Sequence, residues 1–168
     1  VEYAYEDTPL GSGGAIASIA GDWDETFLVC NGDIITSLDI SAMVEAHRAR
    51  DAELSLSLHR VDDPSPFGVV EIKPDGRILR FVEKPKEDAV LDELKISDPI
   101  LSYLRITSSE DHYLASMGIY LFNRNVLKDV LDNQHADFGK HIIPEAIHKL
   151  RVFGYIFQGY WEDIGTIG

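Results

Sequence analysis

The run Thr26-Phe27-Leu28-Val29-Cys30 is apolar without a break and gives way at once to Asn31-Gly32-Asp33. Five residues are too few for a helix with a buried stripe. An unbroken apolar run bounded by turn formers is the pattern of a buried strand in a parallel sheet. The small residues of 12–20, SGGAIASIA, predict a helix just before it, and a second helix is predicted over 39–50 with Ile40, Met43, Val44 and His47 on one face. Strands and helices thus alternate at βα spacing over the first fifty residues. Hairpin-like strands follow: 53–61 alternates through Leu54, Leu56 and Leu58, and strands over 67–72 and 77–82 flank the turn Pro74-Asp75-Gly76.

Elsewhere the pattern predicts a strand over 1–5, closed by Glu6-Asp7-Thr8-Pro9, and a helix near 88–94 inside the polar stretch 86–111. A central strand is expected over 114–122, a helix capped by Asn123 and running to about 131, a helix started or kinked by Pro144 and running to 150, and a strand over 151–157. The fold class expected is α/β: a Rossmann-like mixed sheet with helices on both faces, where ligands bind beyond the carboxyl ends of strands. No repeat, low-complexity segment or linker breaks the chain. It reads as one incomplete domain, because it opens at Val1 with no methionine before Met43, as a processed product or a segment of something longer would.

Charge narrows the function. Of 168 residues 15 are basic and 29 acidic, a net charge of −14 with histidines neutral. Phosphate contacts to nucleic acid need Lys and Arg, so bulk nucleic-acid binding is excluded, while a small phosphorylated ligand held by a few cations and Mg²⁺ is not. The single cysteine, Cys30, excludes an internal disulfide framework and a cysteine-rich zinc site, and a reducing, cytoplasmic setting is expected. No run reaches the ~18–20 apolar residues of a membrane span.

Four segments could carry chemistry. Asp33 follows a strand with Gly32 before it, where a carboxylate could share Mg²⁺ with a substrate phosphate; Asn-Gly-Asp is also an ordinary turn. Pro9-Leu10-Gly11-Ser12-Gly13-Gly14-Ala15 offers free N–H groups and room for a base or phosphate at a helix start, although glycines there also serve helix packing. In Phe81-Val82-Glu83-Lys84-Pro85 the proline ends a strand and presents a carboxylate for sugar hydroxyls and a cation for phosphate, or merely a solvated pair. Trp161-Glu162-Asp163-Ile164-Gly165-Thr166 joins a stacking face to a second candidate metal carboxylate, or is a packed Trp beside surface acids. His141, Glu145 and His148 could share a helical face as zinc ligands do, but Pro144 interrupts it and no fourth ligand stands near.

In this order LVCNGD, PFGVVEI, RFVEKP, SMGIYLF, DFGKHIIPEAI and YWEDIGT cover most of the chain and resemble the sugar-nucleotide pyrophosphorylases, nucleotidyltransferases that join a sugar 1-phosphate to a nucleoside triphosphate. The last four look most like the glucose-1-phosphate adenylyltransferase branch, which makes ADP-glucose for glycogen or starch; PLGSGGAIA looks closer to the mannose-1-phosphate guanylyltransferases and thymidylyl enzymes.

The resemblance implies that Asp33 and Asp163 bind Mg²⁺, that Glu83 and Lys84 hold the sugar hydroxyls and sugar phosphate, that Gly68 offers its backbone to the sugar, and that Gly11 lies under the base. It further implies that Ser116, Tyr120, Asp137, Phe138 and Trp161 line the sugar 1-phosphate pocket. It makes residues 1–168 a partial catalytic domain, without the family's opening strand, its glycine-rich loop with an Arg, and the C-terminal β-helix common in the adenylyl branch. These residues alone would then not turn over, and the whole protein would be a homo-oligomer. The competing class is a non-catalytic regulatory paralogue that binds sugar phosphate.

Overall fold

The computed structural model describes residues 3, 5, 7, 8, 10–19, 25–126 and 138–165. Its elements are α1 (Gly11–Ile19), β1 (Thr26–Cys30), β2 (Ile34–Thr36), α2 (Ile40–Ala49), β3 (Leu54–Val61), β4 (Gly68–Ile72), β5 (Ile78–Glu83), α3 (Asp88–Leu94), α4 (Asp98–Leu104), β6 (Tyr113–Asn123), a π-helical turn Phe138–Ile142, α5 (Ile143–Lys149), β7 (Val152–Ile156) and β8 (Trp161–Asp163). Among the described residues no helix is long and apolar enough to cross a membrane.

The main sheet runs β5-β4-β6-β3-β7, and β1 also pairs with β6. Among the described strands only β3 and β7 pair in parallel; β1 runs antiparallel to β6, from Thr26 opposite Asn123 to Cys30 opposite Ile119. The parallel, fully covered strand expected at 26–30 is therefore corrected, since Leu28 and Cys30 are exposed. A five-residue apolar run carries no direction, and its partner lies some ninety residues away. β3, like β6, is buried on both faces. Leu54, Leu56 and Leu58 point into the larger core with Phe122, Ile142 and Ile143, while Ser55 and Ser57 point towards α2. There Ser57 Oγ donates to the Ile119 carbonyl at 3.0 Å, and His47, 2% exposed, bonds Ser55 Oγ and Asn123 Oδ1 at 2.8 and 2.9 Å.

Helices lie on both faces. Met43 of α2 packs on Met117, Ile119 and Leu121; α4 and α5 cover the opposite face through Ile100, Leu104, Ile143 and Ala146. α2 begins where Asp39 accepts from the Ala42 N–H at 3.1 Å. Several expectations need correction. Tyr3 and Tyr5, in the expected opening strand, are exposed and outside any strand, and the rest of 1–5 except those two lies outside the described residues. The Asn123 amide accepts from His47 and Thr26 and donates to the Ala52 carbonyl, so it ties β6 to α2 at the point where the helix expected after it begins. That helix beyond residue 126 lies outside the described residues. α4 was not anticipated, because Pro99 reads as a breaker in a polar stretch yet sits in the first turn, where proline's missing N–H costs nothing.

Candidate functional site

One edge of β6 is shared. Its first half pairs with β4 (Val69 opposite Ala115, Val70 opposite Leu114) and its second half with β1, starting at Ile119. Between them Ser116, Met117 and Gly118 face a gap in which β4 and β1 part, and a cavity of about 270 Å³ opens there. Gly118 has φ +74, and a Cβ on it would lie 2.7 Å from Asn31 Nδ2; its carbonyl accepts the Asn31 N–H at 3.0 Å. Only glycine fits this conformation and this approach.

The hairpin supplies one side. Gly68 stands opposite Glu83, and a Cβ there would lie 2.9 Å from Glu83 Oε2 and collide with the Phe81 ring. A Cβ at Gly139, in the π-helical turn, would lie 2.6 Å from the same oxygen. Two glycines thus cradle a half-buried carboxylate. Lys84 follows in the left-handed conformation (φ +47), its N–H on the Phe67 carbonyl at 2.9 Å, before Pro85. A non-glycine residue held at positive φ stores about 1–2 kcal/mol, and such residues cluster at binding sites. The Lys84 ammonium is exposed and pairs with no carboxylate among the described residues.

Aromatic rings form the wall. Tyr120 and Phe138 lie 5.5 Å apart and are 8% and 5% exposed, and Trp161 lies 5.1 Å from Phe67. Ser116 Oγ donates to Tyr120 Oη at 3.4 Å.

The other side is a two-stranded ribbon, β2 with β8, which the sequence reading did not anticipate because three-residue strands leave no periodicity. Ile34 pairs with Asp163, and the Ile164 N–H bonds the Asp33 carbonyl at 2.9 Å. Asp33 and Asp163 converge on Gly165, where a Cβ would collide with Asp33 Oδ2 and lie 3.1 Å from Asp163 Oδ1. Both carboxylates are exposed. Two hard oxygen donors with open space suit Mg²⁺, which binds through one or two carboxylates and keeps waters and substrate phosphates for its other positions. Among the described residues no group of three or more His, Cys, Asp or Glu could hold a metal, so His141, Glu145 and His148 form no such site. Burial and the Asp33 charge push the Cys30 thiol up, which makes it a poor nucleophile.

Of the residues singled out in the sequence, Gly68, Glu83, Lys84, Ser116, Tyr120, Phe138, Trp161 and Asp163 line this cavity, and Asp33 adjoins it through Asp163. Gly11 does not line it; α1 reaches it through Ile16. Asp137 lies outside the described residues. Asn31, Phe67 and Gly139 line it without having been singled out. The signal for Asn31 and Phe67 was adjacency to Gly32-Asp33 and Gly68.

A family model described as nucleotidyl transferase matches residues 1–168. Crystal structures of HddC from Yersinia pseudotuberculosis, one of them complexed with GMP-PN, match with TM-scores of 0.71 and 0.69, each at 23% identity over 96% of this chain. The chain spans 60% of the length of either structure, and the likeness is one of fold.

Proposed function

The chain belongs to the nucleotidyl transferase family, and we propose that it serves to join a nucleoside triphosphate to a sugar 1-phosphate, with ATP and glucose 1-phosphate as the preferred pair. The observation that carries this reading is the gap along β6, where a cradled carboxylate, an exposed lysine, an aromatic wall and two converging carboxylates share one opening.

In the reaction a phosphate oxygen of the sugar 1-phosphate attacks the α-phosphorus of the triphosphate. The new P–O bond forms as the bond to the β-phosphate oxygen breaks, and pyrophosphate leaves with that electron pair. Glu83 accepts hydrogen bonds from sugar hydroxyls, Lys84 neutralises the sugar phosphate, and Trp161 with Tyr120 and Phe138 covers the ring and excludes water. Asp33 and Asp163 would hold Mg²⁺, whose charge offsets that of the phosphates. No covalent intermediate on the protein is needed, and catalysis is positioning with charge neutralisation.

A second reading, guanylyl transfer to mannose 1-phosphate, is favoured by the segment PLGSGGAIA and by HddC's complex with GMP-PN. The test is pyrophosphate release by the full-length protein with four triphosphates against glucose and mannose 1-phosphates. Preference for ATP with glucose 1-phosphate is expected. GTP with mannose 1-phosphate selects the second reading, and binding without release in every pairing selects the regulatory paralogue.

A further inference from the structure

Asn31 lines the cavity, and the mechanism above does not use it. Its backbone N–H bonds the Gly118 carbonyl at 3.0 Å, and its amide lies so close against Gly118 that a Cβ there would come within 2.7 Å of Nδ2 and 3.1 Å of Cγ. The side chain is thus seated on a position that only glycine can fill. It nevertheless makes no hydrogen bond with any described residue. An amide fixed in place at a cavity wall and left without a partner is ready to bind a ligand, since its NH₂ donates and its carbonyl accepts. A sugar hydroxyl also does both. Ionised Glu83 can only accept, and Ser116 Oγ already donates to Tyr120 Oη and accepts the Gly118 N–H, each at 3.4 Å. Asn31 adds an uncommitted donor and acceptor.

Its place along the wall selects the hydroxyl it meets. Two residues further on, Asp33 converges with Asp163 on Gly165. In the other direction β6 runs from Gly118 to Tyr120, Tyr120 packs on Phe138, and the adjoining Gly139 holds Glu83. Asn31 therefore stands between the two converging carboxylates and the cradled one. The phosphate of the sugar has to lie at the first of these ends, where its oxygen attacks the α-phosphorus, and the ring extends from there towards Glu83. The hydroxyl next to the phosphate-bearing carbon is the one on C2. Resting on the function proposed above, we infer that Asn31 is a specificity-determining residue whose amide hydrogen-bonds the 2-hydroxyl of the sugar 1-phosphate, leaving Glu83 the hydroxyls further along the ring. Glucose and mannose differ only in the direction of this hydroxyl, so an amide fixed against Gly118 favours the sugar whose hydroxyl points at it.

The experiment measures pyrophosphate release by the full-length protein and its Asn31→Ala variant, with ATP and either glucose 1-phosphate or 2-deoxyglucose 1-phosphate. Wild type should use glucose 1-phosphate about tenfold better in kcat/KM than the 2-deoxy analogue, which leaves the amide unpaired. Asn31→Ala should lose about tenfold with glucose 1-phosphate and much less with the analogue, so that the ratio between the two sugars falls towards one. The sugars are compared within one protein, so a loss of folded molecules cancels from the ratio, and Asn31→Ser gives the same reading where the alanine variant does not fold. Equal losses with both sugars overturn the proposal, because Asn31 then only shapes the gap. A variant whose ratio stays at the wild-type value, or whose defect is confined to the KM of the nucleotide, overturns it as well. If wild type prefers mannose 1-phosphate, the choice of glucose fails while Asn31 is tested unchanged, since removing the 2-hydroxyl from mannose 1-phosphate gives the same analogue. No turnover of either sugar 1-phosphate with any triphosphate defeats the function proposed above and this role with it.

Discussion

The two sides of the cavity are built by different means. The hairpin side is cast into the core: Glu83 is cradled by Gly68 and Gly139, and Tyr120 and Phe138 belong to the same buried cluster as Phe122 and Leu56. The ribbon side packs inward through Ile34 and Trp161 but leaves its carboxylates bare. Asp33 and Asp163 stand exposed at the end of two three-residue strands held by a few backbone bonds. The difference fits a division of labour. Reading a sugar's hydroxyls requires fixed partners, since an unpaired buried polar group is what penalises the wrong substrate. Holding a hydrated cation and moving phosphates requires charge and open space, which an exposed ribbon supplies at little cost to the core.

Substitutions on the two sides should therefore fail in different ways. The largest effect is expected from Asp163→Asn or Asp33→Asn, which removes a carboxylate charge and hardly changes volume. Steady-state kinetics should find kcat reduced by ~100-fold or more, with Tm unchanged in a thermal melt, because neither side chain is part of the core. A parallel collapse of Tm would mean that the ribbon is structural.

Lys84→Ala should act on binding. Loss of a charge-assisted contact, worth ~1.5–3 kcal/mol, predicts that KM for the sugar 1-phosphate rises about 10- to 100-fold while KM for the nucleotide moves little. If the nucleotide KM rises instead, the lysine belongs to the triphosphate.

Much of this architecture was legible in the sequence, and the exceptions have a common cause. The Phe81–Pro85 corner and the hairpin before it announced themselves because a strand, a turn and a proline are local features. α2 was legible for the same reason, from the periodicity of Ile40, Met43, Val44 and His47. The gap was not. It exists because β1 and β4 share one edge of β6, a pairing that joins residues 26–30, 68–72 and 113–123, and no segment alone records it. Gly118, Asn31 and Gly139 owe their places to that tertiary fact, and the direction of β1 was misread because its partner was not visible.

Two glycines sharpen the contrast with smaller effects. Gly139→Ala would place its Cβ 2.6 Å from Glu83 Oε2. The carboxylate must shift, so the sugar 1-phosphate KM should rise about fivefold and stability should fall by ~1 kcal/mol, as overpacking does. Gly32→Ala, beside Asp33, has nothing within 4 Å of the added Cβ. Denaturant titration should find its stability within ~0.5 kcal/mol of wild type, the usual range for an open surface position.

The most direct test of the division itself is a calorimetric titration of glucose 1-phosphate, without added divalent cation, into the Asp163→Asn and Lys84→Ala variants of the full-length protein. With binding on the hairpin side and cation chemistry on the ribbon, Asp163→Asn should bind the sugar phosphate within about twofold of wild type, while Lys84→Ala loses a factor of about ten or more. Equal losses in the two variants would contradict the account, because the two sides of the cavity would then be one undivided site.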